Sequence, residues 1–138
     1  MKVYIASSFD QIDNVDIVAR YLENRGHTIA VKWWATDGFS MHDKKTTTVS
    51  EEDFYNDPIC RAIFERDFAG VQDADVFILV ADLQTPRAYN GANIEYGIAV
   101  AAGKPCFSLG KLARCALYYP VVQCRALSEL AEKIEAIP

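Results

Sequence analysis

Two carboxylates and a tyrosine stand out in this 138-residue chain because of the company they keep. Glu95 lies in Gly91-Ala92-Asn93-Ile94-Glu95-Tyr96-Gly97-Ile98-Ala99, which reads as the opening of a helix ended by Gly103 ahead of Lys104-Pro105. Its apolar stripe, Ile94, Ile98 and Ala101, reads as the core face. The opposite stripe of Gly91, Ala92, Glu95, Ala99 and Ala102 sets a carboxylate among residues with almost no side chain. Such neighbours let another backbone, or a ligand such as a sugar ring, approach the carboxylate closely. The plainer alternative is a helix packed tightly on a sheet, with Glu95 capping its first turn. Asp67 interrupts a second apolar stripe, Cys60, Ile63, Phe64, Phe68 and Val71. A carboxylate on a core-facing helix side is costly unless it is paired or near water. It is therefore either a hydrogen-bonded edge residue or an acid whose proton affinity a semi-apolar cleft raises. Glu95, close to a helix N-terminus, is expected to stay ionised. An ionised carboxylate in a tight crevice with a proton-bearing partner suits glycosidic-bond chemistry.

The elements that must position these groups follow from the hydrophobic pattern. Lys2 to Ala6 reads as a first strand carrying Tyr4, and Ser7-Ser8-Phe9-Asp10 as a polar turn. A helix is expected from about Gln11 to Arg25, stopped by Gly26, and a second strand over His27 to Lys32. Trp33-Trp34 lead into an aperiodic polar segment, Ala35 to Val49, of the length that lids and binding loops have. Its His42-Asp43 reads as a solvated pair. Ser50 and Asp57-Pro58 mark two helix starts. Asp75 to Ala81 is the clearest strand, a continuous apolar run fit for the centre of a parallel sheet. Cys106 to Leu109 is a fourth strand, Leu117 to Val122 a fifth, and Leu127, Leu130, Ala131 and Ile134 mark a last amphipathic helix. The order predicts a single domain over residues 1–138, an α/β protein of three-layer α/β/α sandwich type, flavodoxin-like, with a mostly parallel five-stranded sheet. Ligands in such sheets bind beyond the carboxyl ends of the strands at the switch in strand order, here between the first and third. Ser7, Ser8 and Phe9 on one side and the 82–91 loop on the other flank that crevice, within reach of Tyr4.

Composition narrows the classes. At 51% hydrophobic and 24% charged the chain has apolar mass for a real core, and its net charge of −5 argues against a nucleic acid polymer as partner. Its longest apolar run, Val76 to Ala81, is far short of the ~20 residues a membrane span needs. The start Met1-Lys2-Val3-Tyr4-Ile5-Ala6 enters a strand at once, without a leader pattern. Cys60, Cys106, Cys115 and Cys124 form no CxxC pair, and no His stands at ligand spacing, so reduced thiols, no metal and no cofactor are expected in a cytoplasmic protein. No GxGxxG, Walker loop or GxSxG occurs. A receiver-type signalling domain would need an acidic cluster where Ser7-Ser8 stand, and a non-catalytic nucleotide-binding module would keep the crevice without turnover.

Three stretches together resemble the nucleoside 2-deoxyribosyltransferase family, which includes nucleoside 5′-monophosphate N-glycosidases. They are Lys2-Val3-Tyr4-Ile5-Ala6-Ser7-Ser8-Phe9, then Asp67-Phe68-Ala69-Gly70-Val71-Gln72-Asp73-Ala74-Asp75, and Gly91 through Ala99 on to Gly103-Lys104-Pro105. The resemblance implies Glu95 as nucleophile, Tyr4 as the residue that orients it and Asp67 as the group that handles the leaving base. Ser7, Ser8, Phe9, Trp34, Tyr89, Asn90 and Gly91 are the candidate substrate-binding residues, with Trp33, Trp34 and Phe9 open either to base stacking or to core packing. It implies a small-molecule nucleoside or nucleotide and a free base as partners, and a homo-oligomer whose sites are completed across subunits. Where the transferases carry an Asp six residues before the nucleophile, and the hydrolases a Ser, this chain has Tyr89. Ser8 matches a phosphate-contacting Ser of the hydrolases, whereas Asp10 and the net charge disfavour a phosphate.

Overall fold

The computed structural model describes residues 1–35, 50–81 and 90–138. Five strands form one sheet: β1 (Lys2–Ala6), β2 (Thr28–Ile29), β3 (Val76–Val80), β4 (Cys106–Leu109) and β5 (Val122–Cys124). Their order is β2-β1-β3-β4-β5, and among the described residues every pairing is parallel. Among the described residues five α-helices accompany them: α1 (Ile12–Glu23), α2 (Glu51–Tyr55), α3 (Pro58–Asp73), α4 (Asn90–Ala101) and α5 (Leu127–Glu135). The doubly wound, flavodoxin-like arrangement predicted from the alternation is the one observed.

Side-chain alternation along the strands divides the core in two. Val3, Ile5, Val76, Ile78 and Val80 pack with Val15, Val18, Ala19 and Leu22 of α1 and Leu130, Ala131 and Ile134 of α5. Tyr4, Ala6, Phe77 and Leu79 pack on the other face with Val71 and Ala74 at the end of α3 and Ala92, Tyr96 and Ala99 of α4. All five residues of β3 are buried, as a continuous apolar strand covered on both faces must be.

Local signals act as expected at several ends. Asp57 accepts from the Ile59 amide at 2.8 Å with Pro58 in the first turn of α3, and the Ser50 hydroxyl caps α2 by accepting from the Asp53 amide at 3.1 Å. Gly103, at φ +69°, ends α4, and the Lys104 amide returns to the Ala99 carbonyl at 2.9 Å. Gly70 has a different duty. A Cβ there would lie 2.4 Å from Val31 Cγ2 and 3.1 Å from Tyr4 Cε2, so its hydrogen lets α3 lie against β1 at the tyrosine ring.

Two strands depart from the sequence reading. The second is paired over only Thr28–Ile29, extended by the Ala30 amide donating to Val3 O at 2.8 Å, because it lies at the sheet edge and turns into Trp33-Trp34. The fifth is Val122–Cys124, and Ala116–Tyr118 is a 3-10 turn. Pairing with Phe107–Leu109 sets that register, which the apolar run from Leu117 did not reveal.

Candidate active site

β1 brings Tyr4 to the face covered by α3 and α4, where its ring is fully buried and stacks on Phe77 at 6.0 Å. A buried phenol needs a partner for its hydroxyl. It donates to Glu95 Oε1 of α4 at 2.7 Å, joining residues 91 apart in sequence. The proton stays on the tyrosine: burial first, then the charges of Glu95 and Asp67, raise the phenol's proton affinity. Glu95 is itself half-buried and pushed up from 4.5 to about 7. Burial is the largest cause, the Tyr4 hydrogen bond opposes it, the Asp67 charge adds to it, and the Arg66 charge lowers it. The expectation that the helix terminus keeps Glu95 ionised is thus corrected. Glu95 is the sixth residue of α4, beyond the first turn in which dipole and free amides act, and desolvation outweighs them.

Asp67 lies on the side of α3 that meets β1, one turn before Gly70, and close enough for its charge to bear on both Tyr4 and Glu95. Its Oδ1 accepts from Arg66 Nε at 2.7 Å, with side chains only 18% and 22% exposed. Arg66 is the residue sequence reasoning missed. Arg61, the other cation of this helix, pairs with Glu65 at the ordinary four-residue spacing. That pairing was the available signal, because it leaves Arg66 beside Asp67.

The face assignment of α4 holds only in part: Ile98 packs on the core and Gly91 and Ala102 are exposed, as expected, but the rest of the two stripes changes sides. Ala92, Tyr96 and Ala99 are buried, whereas Ile94 is 67% exposed and Ala101 is also exposed. Tyr96 reaches under the helix to donate to the Leu117 carbonyl at 2.6 Å, and the two alanines let α4 lie close to its neighbours. Those alanines are covered by protein and give packing, not room for a sugar. At Gly91 a Cβ would meet nothing within 4 Å, so that position does leave open space. In α3 likewise, Phe64 belongs to the outside, at 61% exposure.

The remaining candidates divide. Ser7 donates to the Val80 carbonyl at 2.6 Å, tying the end of β1 to the end of β3 across the crevice floor. Ser8 donates to Asp10. Phe9, at the surface, sits edge-on to Trp33 at 5.5 Å, and Trp33 donates to the Ile5 carbonyl at 2.7 Å. Trp34 goes elsewhere: its indole donates to Asp16 of α1 at 3.2 Å and packs with the α1/α5 core. The structure does not bring it to Glu95. Asn90 is the first residue of α4. Tyr89, the 82–89 loop and the 36–49 segment with His42-Asp43 lie outside the described residues. Among the described residues no His, Cys, Asp and Glu cluster could hold a metal, all four cysteines are free, and no helix is long and apolar enough to cross a membrane.

The parallel 2-1-3-4-5 sheet is an α/β fold of the deoxyribosyltransferase-like class, with Tyr4 of β1 bonded to Glu95 of α4 beside it. The chain belongs to the nucleoside 2-deoxyribosyltransferase family, whose model matches residues 3–123. Two solved structures share the fold. One is the CMP N-glycosidase BcmB of Clostridium botulinum, with 14% identity and a TM-score of 0.58 over 98% of each chain. The other is a 2-deoxyribosyltransferase of Bacillus psychrosaccharolyticus, with 18% identity and a TM-score of 0.63 over 95% of this chain and 90% of that one. No curated protein matches the sequence.

Proposed function

We propose that this protein cleaves the N-glycosidic bond of a 2′-deoxynucleoside through a covalent glycosyl-Glu95 intermediate and passes the deoxyribosyl group to another nucleobase. The observation that supports this reading is the Tyr4–Glu95 hydrogen bond of 2.7 Å, which engages Oε1; the reading assigns the other carboxylate oxygen to the sugar. The ionised carboxylate attacks C1′ as the bond from C1′ to the base nitrogen breaks through an oxocarbenium-like transition state. The electron pair stays with the base, and Asp67 delivers the proton that nitrogen takes. In the second half an acceptor base gives a proton to Asp67 and attacks C1′ from the vacated side, releasing Glu95. Two displacements retain the configuration at C1′. The family's homo-oligomer belongs to the same proposal, supported by the exposed apolar side chains Ile94, Val100, Leu117 and Tyr119 on and beside α4.

Hydrolysis of a nucleoside 5′-monophosphate is the second reading, supported by the position of Ser8. Asp10 on that hydroxyl sets a carboxylate where a phosphate would lie, which favours the uncharged nucleoside. Incubation with a deoxynucleoside and a second free base tests the two together. The exchanged nucleoside is expected, and Glu95→Ala should abolish it. Free sugar and base alone would indicate a hydrolase, and consumption only of the 5′-monophosphate would support the second reading. Ligand-induced stabilisation without turnover would leave a binding module.

A further inference from the structure

Arg66 and Asp67 are consecutive on α3, and consecutive helical side chains point about 100° apart. A contact of 2.7 Å between Arg66 Nε and Asp67 Oδ1 therefore requires the arginine to fold back along the helix instead of extending into water. The cost of covering a guanidinium to 22% exposure is offset only where it meets negative charge. Asp67 supplies it. Among the described residues the groups that bear on Glu95 are Tyr4 from β1, which bonds it, and Asp67 and Arg66 from α3, through their charges.

We propose that Arg66 is a positioning residue of this site: turned onto Asp67, its guanidinium holds Oδ1 of that side chain, leaving Oδ2 to pass the proton, and sets a positive charge near Glu95 that favours the ionised nucleophile. The inference deepens the glycosyl-transfer reading and rests on it for its catalytic consequence. A buried carboxyl group holds its proton more tightly when no positive charge lies near it. A nucleophile that holds a proton cannot attack C1′. Arg66 acts on the reaction through Asp67 and Glu95, without touching the sugar.

The test separates this placement from the activity. Protein labelled with carboxyl-13C glutamate and aspartate is titrated by NMR as wild type, Arg66→Gln, Arg66→Met and Arg66→Lys, with Glu95→Gln identifying the Glu95 resonance. The two neutral variants should raise the Glu95 midpoint by about one pH unit, a tenfold gain in proton affinity. Arg66→Lys, which keeps the charge, should stay close to wild type. Either neutral variant suffices if the other fails to fold. In the exchange assay the acid limb of kcat/KM should move by the same amount. Equal midpoints in wild type and the neutral variants overturn the proposal, as does a lysine variant displaced as far as they are. A displaced midpoint without any base exchange would instead overturn the glycosyl-transfer reading and leave the placement of Arg66 standing.

Discussion

Replacing Glu95 by Gln should make the protein more stable, and increasingly so as pH rises. The native carboxyl titrates near 7, against 4.5 for an ordinary glutamate. Below pH 4.5 it is protonated in the folded and unfolded chains alike and contributes no difference. Between 4.5 and 7 the unfolded chain has lost the proton while the folded chain still binds it, so the folded state loses stability as pH rises. Above 7 both are ionised and the penalty levels off. At about 1.4 kcal/mol per tenfold change in proton affinity, the displacement from 4.5 to about 7 corresponds to at most ~3 kcal/mol at high pH. Between pH 5 and pH 8 the linkage relation leaves a growth of about 2 kcal/mol in the penalty. Gln is close in shape, still accepts from the Tyr4 hydroxyl, and carries no charge to desolvate. Urea unfolding of both proteins at pH 5, 6, 7 and 8 should show the advantage of Glu95→Gln widening by about that amount, most of it between pH 5 and 7. A difference that is constant with pH, or a variant less stable throughout, would show that burial does not raise this carboxyl and would remove the electrostatic account of the site.

Tyr4→Phe should lower kcat/KM about 10- to 100-fold at neutral pH, the worth of a hydrogen bond to a charged group. Since that bond lowers the proton affinity of Glu95, the acid limb of the profile should also move upward, and an unmoved limb would deny Tyr4 its role. Light scattering after gel filtration should find a homo-oligomer that Ile94→Lys and Leu117→Glu together dissociate. A monomeric wild type would show that the apolar side chains beside α4 are not its interface.

The layers and the strand order were legible because they rest on strong local signals. Val76–Val80 is apolar at every position, α1 and α5 each carry one clear stripe, and Asp57-Pro58 marks a helix start that the backbone honours. Helix α4 was harder, for a physical reason. Nearly all its positions are small or apolar, so periodicity has no polar face to measure against. Ile94 and Ile98 both look like core by residue type, yet only Ile98 packs there, and Ala92 and Ala99 are what permit close approach to α3 and the sheet, with Tyr96 wedged below. This facing of α4 sets Glu95, next to Tyr96, at the border of the buried face. That is how it meets the hydroxyl of Tyr4.

The proton balance of the site was the least legible part, because it depends on cover and on charges that come together only in three dimensions. Nearness to a helix start, read from the sequence, suggests a stabilised anion. The fold instead places that anion over a buried phenol and near a second carboxylate, and then adds a guanidinium. Each of these pulls in a known direction: burial and Asp67 hold the proton on, Tyr4 and Arg66 draw it off. A carboxyl balanced near neutrality fits a nucleophile that must also leave. If it were a much stronger acid, its carboxylate would be a poor attacker at C1′; if much weaker, it would hold its proton at neutral pH. Under the proposed glycosyl transfer, the aromatic, the second acid and the arginine around Glu95 all serve one requirement, reversible bonding to a sugar carbon at neutral pH.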